Sequence, residues 1–179
     1  MIKIKQTLLA VLAMLMIAAL SSCGYFAHKT YYSNTADYAK IWLLSGLRNG
    51  DYGISPIFPE KLDGMQVDDF FCRYDEQLPL GEGFQIHLNV KYGSESDFAA
   101  EIERISSVGK RCDDNFSDTQ YEAYSLCMGE VYSYEYALAD RENSVIHYLY
   151  LQGVPKDQIE IDNSLIPDNY SEYGSVENK

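Results

Sequence analysis

"FQIHLNVKY", residues 84–92, is the stretch on which the fold turns. Phe84, Ile86, Leu88, Val90 and Tyr92 alternate with Gln85, His87, Asn89 and Lys91. Successive side chains of a strand point to opposite faces, so this spacing predicts a β-strand with one buried face and one wet face. Strands that alternate in this way belong to antiparallel sheets covered on one side.

Working outward, Ser94 or Ser96 is placed to cap a helix with Phe98, Ile102 and Ile105 on its inner side. Glu101, Glu103 and Arg104 fall on its outer side, and the helix should end near Val108-Gly109. An acidic loop, "GKRCDDNFSDTQ" (109–120), leads into a strand region over 121–138, a turn over 139–144 and a return over 145–151. Residues 159–161, Ile-Glu-Ile, allow one further short strand. Upstream, 67–74 reads as a strand, whereas 52–64, with Pro56 and Pro59, is irregular. Asn34 or Thr35 is placed to cap a first helix carrying Tyr38, Ile41, Trp42 and Ser45 at helical spacing. The order is helix, strand, strand, helix, strand, strand. It predicts an α+β fold, an antiparallel sheet of about four to five strands with two helices packed on one side.

The N-terminus has a different character. Leu8 to Leu20 is an uninterrupted apolar run of 13 residues, preceded by Lys3 and Lys5 and no acid. At about 1.5 Å per residue it reaches roughly 20 Å, short of a hydrocarbon core of about 30 Å. It therefore reads as the hydrophobic region of an export signal, not as a span. Leu20-Ser21-Ser22-Cys23 resembles the lipobox of bacterial lipoproteins. That resemblance implies cleavage before Cys23, diacylglycerol on its sulfur and a further acyl chain on its amino group. Multiple acyl chains hold a protein stably on a bilayer where one does not. "IFPEKL", "VDDFFCRY", "FQIHLNVKY", "EIERIS" and "YSYEYAL", spread over residues 57–138, further resemble a group of uncharacterised lipoproteins of low-GC Gram-positive bacteria. The group implies a location and a fold but carries no activity. The expected organisation is a signal peptide over 1–22, a lipidated N-terminus and tether over 23–33, one domain over 34–167 and a polar tail over 168–179.

Cleavage before Cys23 leaves 12 basic against 27 acidic residues, a formal charge of −15. Such a surface repels nucleic acid and anionic headgroups, so the domain is expected to stand off the membrane and to bind no nucleic acid. Besides Cys23 there are Cys72, Cys112 and Cys127, so at most one internal disulfide forms. Three pairings are open. Cys112 with Cys127 closes a short loop and is preferred; Cys72 with Cys127 joins two expected strands. The spacing resembles no zinc site.

Sixteen tyrosines are the strongest bias in composition. Tyr132, Tyr134 and Tyr136 share one face of the 132–151 hairpin and, with a six-residue loop, sit opposite Leu151, Leu149 and His147. If the small residues Ser133 and Ala137 receive a helix on the other face, the three tyrosines and His147 form an exposed aromatic platform for a glycan or a protein partner. The alternative is that tyrosine simply fills half-buried strand positions. Asp113, Asn115, Ser117 and Thr119 have the spacing of calcium ligands, yet Asp118 replaces the turn glycine and Tyr124 the bidentate glutamate, so a solvated acidic turn is the expected structure. His28, His87 and His147 make no metal set by spacing, and adjacent acids such as Asp68-Asp69 point to opposite faces of a strand. Neither G-x-S-x-G nor H-E-x-x-H occurs.

These observations predict a non-enzymatic, lipid-anchored binding module on the extracytoplasmic face of the cell membrane, without cofactor or metal, whose partner is an envelope protein or glycan. The rival is a hydrolase of envelope polymers using a cleft carboxylate such as Glu135 or Asp69. A third reading is an assembly or stress factor with a protein partner.

Overall fold

The computed structural model describes residues 26–41, 55–78, 81–118, 120–128 and 133–171. Seven strands form one antiparallel sheet: β1 (Phe26–Tyr32), β2 (Gln66–Leu78), β3 (Gly81–Lys91), β4 (Lys110–Arg111), β5 (Tyr121–Met128), β6 (Ser133–Asp140) and β7 (Val145–Gln152). Their order in space is β1-β2-β3-β7-β6-β5-β4. Two meanders thus meet where β3 pairs with β7. The sheet is larger than the four to five strands expected, for three reasons. Residues 26–32, expected as tether, form edge strand β1, Lys110–Arg111 adds the opposite edge, and the region 121–138, expected as one strand, is the antiparallel pair β5 and β6. Residues 159–161 do not join the sheet.

Helix α1 (Glu95–Val108) carries the chain from β3 in mid-sheet to β4 at the edge, so it lies across one face. Ser94 caps it, its hydroxyl accepting from the Asp97 amide at 3.1 Å, which satisfies a donor that the first turn leaves open. Phe98, Ile102 and Ile105 are buried as the periodicity requires. Beside α1, Tyr38 and Ile41 from a helical segment at 38–41 and Ile57 and Phe58 from an irregular stretch complete this cover. Asn34 caps the turn that enters the first of these. Together they pack on Phe70, Cys72, Phe84, Ile86, Leu88, Val90, Ala137, Ala139, Ile146 and Tyr148. Glu101 and Arg104 are not left to solvent. Tyr148 Oη donates to Glu101 at 2.6 Å, and Arg104 donates to Glu101 and to the carbonyls of Pro56 and Ile57.

The second face was expected to be wet, and it is not. Gln85 and His87, the polar half of the β3 alternation, are 0% and 6% exposed. Residues 154–171 run up this face as a strap and return. A second apolar cluster forms beneath it from Phe116, Ala123, Tyr134, Tyr136, Leu138, Leu149 and Leu151 against Leu165, Ile166 and Tyr170. Two short 3-10 turns, Lys156–Gln158 and Asn163–Leu165, let the strap bend over the sheet.

Candidate functional site

Ser133–Asp140 and Val145–Gln152 form the expected hairpin, but its loop is the four-residue Arg141–Ser144 and not six residues long. Ser144 takes a positive φ of 53° to close it. Tyr134 faces Leu151, Tyr136 faces Leu149 and Leu138 faces His147. The ladder is shifted by two from the expected register, and an even shift keeps every side chain on its expected face. Ala137 does lie under the helical cover. The tyrosine face is nonetheless closed. Tyr134 and Tyr136 are 3% and 0% exposed. Tyr136 Oη donates to the Leu165 carbonyl at 2.7 Å and Tyr134 Oη to the Asn169 carbonyl at 3.0 Å, while the Ser171 amide donates to Tyr134 Oη. The expected platform is therefore corrected to a core packed against the chain's own strap. Tyr132 lies outside the described residues, as does Cys23.

His147 is part of a different arrangement, a polar seam along β2, β3 and β7 on the strap side. Its Nδ1 lies 2.6 Å from Asn89 Oδ1. A carboxamide oxygen only accepts, so Nδ1 carries the proton and donates. His87 stacks on His147, ring centroids 6.3 Å apart and planes 9° from parallel, and Tyr121 meets His147 edge-on at 5.5 Å. His87 Nδ1 lies 3.2 Å from Asp69 Oδ2. Burial first, and for His147 then the neighbouring imidazole, lowers both rings below the ordinary histidine value, His147 to about 4.

Further along the seam, Arg73 and Asp75 are 2% and 1% exposed and pair with one another. They share a face because they stand two apart on β2. Arg73 also donates to the strap: Nη1 to the Gln158 carbonyl at 2.6 Å and to Glu160 Oε1 at 3.4 Å, Nη2 to Gln158 Oε1 at 3.0 Å. Gln85, the cross-strand partner of Arg73, accepts from the Glu160 amide at 3.2 Å. Arg73 Nε, Asp75 Oδ1, Gln85 Nε2 and His87 Nε2 are buried and find no partner among the described residues. This seam escaped the sequence reading. Its signal was present in Arg73-x-Asp75, opposite charges two apart within a strand.

What the seam can do follows from its closure. The dyad Asp69–His87 has the tautomer of a general base, but Nε2 is buried from solvent and meets no hydrogen-bonding group among the described residues. Arg73 acts as a clamp, tying β2 to the strap through three groups. Asp69 and Glu135 lie on opposite faces of the sheet: β2 turns Phe70 and Cys72 to the helical side, whereas β6 turns Ala137 and Ala139, and with them Glu135, to that side. Burial pushes the Glu135 carboxyl up, opposed by the Ser55 hydroxyl. Ser107-Val108-Gly109-Lys110 has S-x-x-K spacing, but it straddles the end of α1, and Ser107 Oγ donates back to the Arg104 carbonyl at 2.6 Å.

In the acidic loop, Asp113 Oδ1 accepts from the Ala123 amide at 2.7 Å and its other oxygen binds Arg111, while Ser117 donates to Asp168. These oxygens pin the loop and the strap to the sheet. Among the described residues no three metal-type side chains come together. Cys72 and Cys112 are buried free thiols. The Cys112 amide bonds the Ala123 carbonyl, so Cys112 is level with Ala123, four residues from Cys127 along β5. At about 3.3 Å per residue that is roughly 13 Å, against the 7 Å or less between the Cα atoms of a disulfide. The preferred Cys112–Cys127 bridge is corrected on that geometry. No helix among the described residues is long and apolar enough to cross a membrane. The chain matches no known protein family, no curated protein and no solved structure.

Proposed function

We propose that the chain is a lipid-anchored, extracytoplasmic binding module that meets an envelope protein or glycan, and that it performs no chemistry of its own. The observation that carries this reading is the separation of Asp69 and Glu135. Hydrolysis of a glycan uses two carboxylates within roughly 5 to 10 Å in one cleft, and these two lie on opposite sides of a sheet covered on both faces. Closure of the tyrosine face moves the contact surface to the β1 edge. There Tyr31 is 50% exposed and packs on Phe71 with ring centroids 6.0 Å apart. An aromatic side chain with a polar tip suits either partner.

The test is photo-crosslinking in intact cells with a benzophenone amino acid at position 31, with position 143 as the control. A discrete adduct from 31 and none from 143 supports the assignment. No adduct from 31 overturns it. Envelope-polymer hydrolysis that disappears in Glu135→Gln or Asp69→Asn establishes the rival.

A further inference from the structure

We infer that the polar seam beneath the strap is a binding site for ordered water, one molecule bridging Gln85 to His87 on β3 and another bridging Arg73 to Asp75 on β2. The four side chains stand together. Arg73 and Gln85 face each other across the β2–β3 ladder, and Asp75 and His87 each lie two residues further along their own strands, on the same face. All four are buried, and each leaves one polar atom without a partner among the described residues: Arg73 Nε, Asp75 Oδ1, Gln85 Nε2 and His87 Nε2. Leu149 and Leu151 of β7 stand beside His87 and Gln85. The strap lies above, bonded to Arg73 through Gln158 and to Gln85 through the Glu160 amide. A polar group shut away from solvent without a hydrogen bond is costly, and protein interiors meet such groups with water.

The bonds already made fix what each remaining atom does. Arginine Nε only donates. Gln85 Oε1 accepts from the Glu160 amide, so the other terminus of its side chain is the amino group, a donor. The Asp69 carboxylate takes the His87 Nδ1 proton, which leaves Nε2 a lone pair. Asp75 gives Oδ2 to Arg73 and keeps Oδ1 as an acceptor. The seam thus offers two donors and two acceptors, and that set selects the ligand. An anion asks for donors alone and meets the carboxylates of Asp69, Asp75 and Glu160; a cation asks for acceptors alone and meets Arg73. Water donates and accepts at once. Each donor has its acceptor two residues away on its own strand, with about 7 Å between Cα atoms, so one small molecule meets both side chains. Water so placed holds the groups that carry the strap, and it leaves only when the strap lifts.

The test is a crystal structure of the full chain, as its host produces it, at a resolution that places ordered water. A second structure, of the double variant Gln85→Leu, His87→Leu, replaces one donor and one acceptor by apolar groups. The expected density is a water-sized peak at about 2.7–3.2 Å from both Gln85 Nε2 and His87 Nε2, and another at that distance from Arg73 Nε and Asp75 Oδ1. The double variant loses the first peak and keeps the second. Direct contact of Gln85 with His87, or of Arg73 with Asp75, with no peak between them, overturns that bridge. Density for an ion or a larger solute overturns the identity of the ligand, and a first peak that persists in the double variant overturns the role of the two side chains. Where the double variant does not fold, the density of the unaltered chain decides.

Discussion

Arg73 and Asp75 show how a single pair ties the strap to the sheet. Both are buried, and each leaves one polar atom without a partner among the described residues. A buried ion pair adds little over a well-packed apolar pair, but breaking it strands a charge. Asp75→Ala should therefore cost about 3–5 kcal/mol in urea unfolding, while the double variant Arg73→Met, Asp75→Leu recovers much of that loss. The histidine pair supplies a pH dependence. Asp69 and Asn89 face the rings from β2 and β3, Tyr121 meets His147, and Asp140 and Asp162 contribute charge. Because both rings are held below 6.5 when folded, the unfolded chain binds more protons just beneath that pH. The His147 contribution is complete above pH 6.5 and is lost as pH falls toward about 4, by up to about 1.4 kcal/mol per pH unit, and His87 acts in the same direction. Denaturant midpoints measured between pH 7.5 and 4.5 check this, and His147→Phe should flatten the slope. Burial also pushes the Cys72 thiol to about 12 and Cys112 to about 11. Neither should react with a thiol reagent at pH 8 until the chain unfolds.

The strap is the element that reshapes the molecule. Tyr170 is buried against Tyr134, with ring centroids 4.8 Å apart, and donates to the Val154 carbonyl, so the strap's return leg closes on its own start. Tyr170→Ala should cost about 3 kcal/mol and raise the fluorescence of an apolar dye as the tyrosine face opens. Tyr136→Phe, which keeps the ring and orphans the Leu165 carbonyl, should cost about 1 kcal/mol. The residues expected as a polar tail from 168 onward begin inside this element, since Asp168 accepts from the Ser117 hydroxyl and Tyr170 is buried against Tyr134. Strands β3 and β7 and helix α1 were legible in the sequence because period and caps are local. β1 was not, since "FAHKTYY" alternates weakly and becomes a strand only by pairing with β2.

At the scale of the whole molecule, the chain joins a formal charge of −13, or −15 after the expected cleavage, to a core on each side of one sheet. Self-repulsion of that size opposes compaction and is screened by salt. The denaturation midpoint should therefore rise from low to physiological ionic strength, and a midpoint that falls would show that favourable ion pairs dominate. The sequence alone determined the residues that share a face, the antiparallel character of the sheet, the capped helix on one side and the expectation of an acylated Cys23. These follow from a period of two, a period of 3.6 and a short local motif. Only tertiary structure decided which faces are covered. A two-residue period says that Tyr134, Tyr136, Gln85 and His87 point one way, but nothing in it says what lies there. Burial of that face needed residues 154–171 to fold back across strands far from them in sequence, and the favourable contacts that draw them there exist only once the sheet has formed.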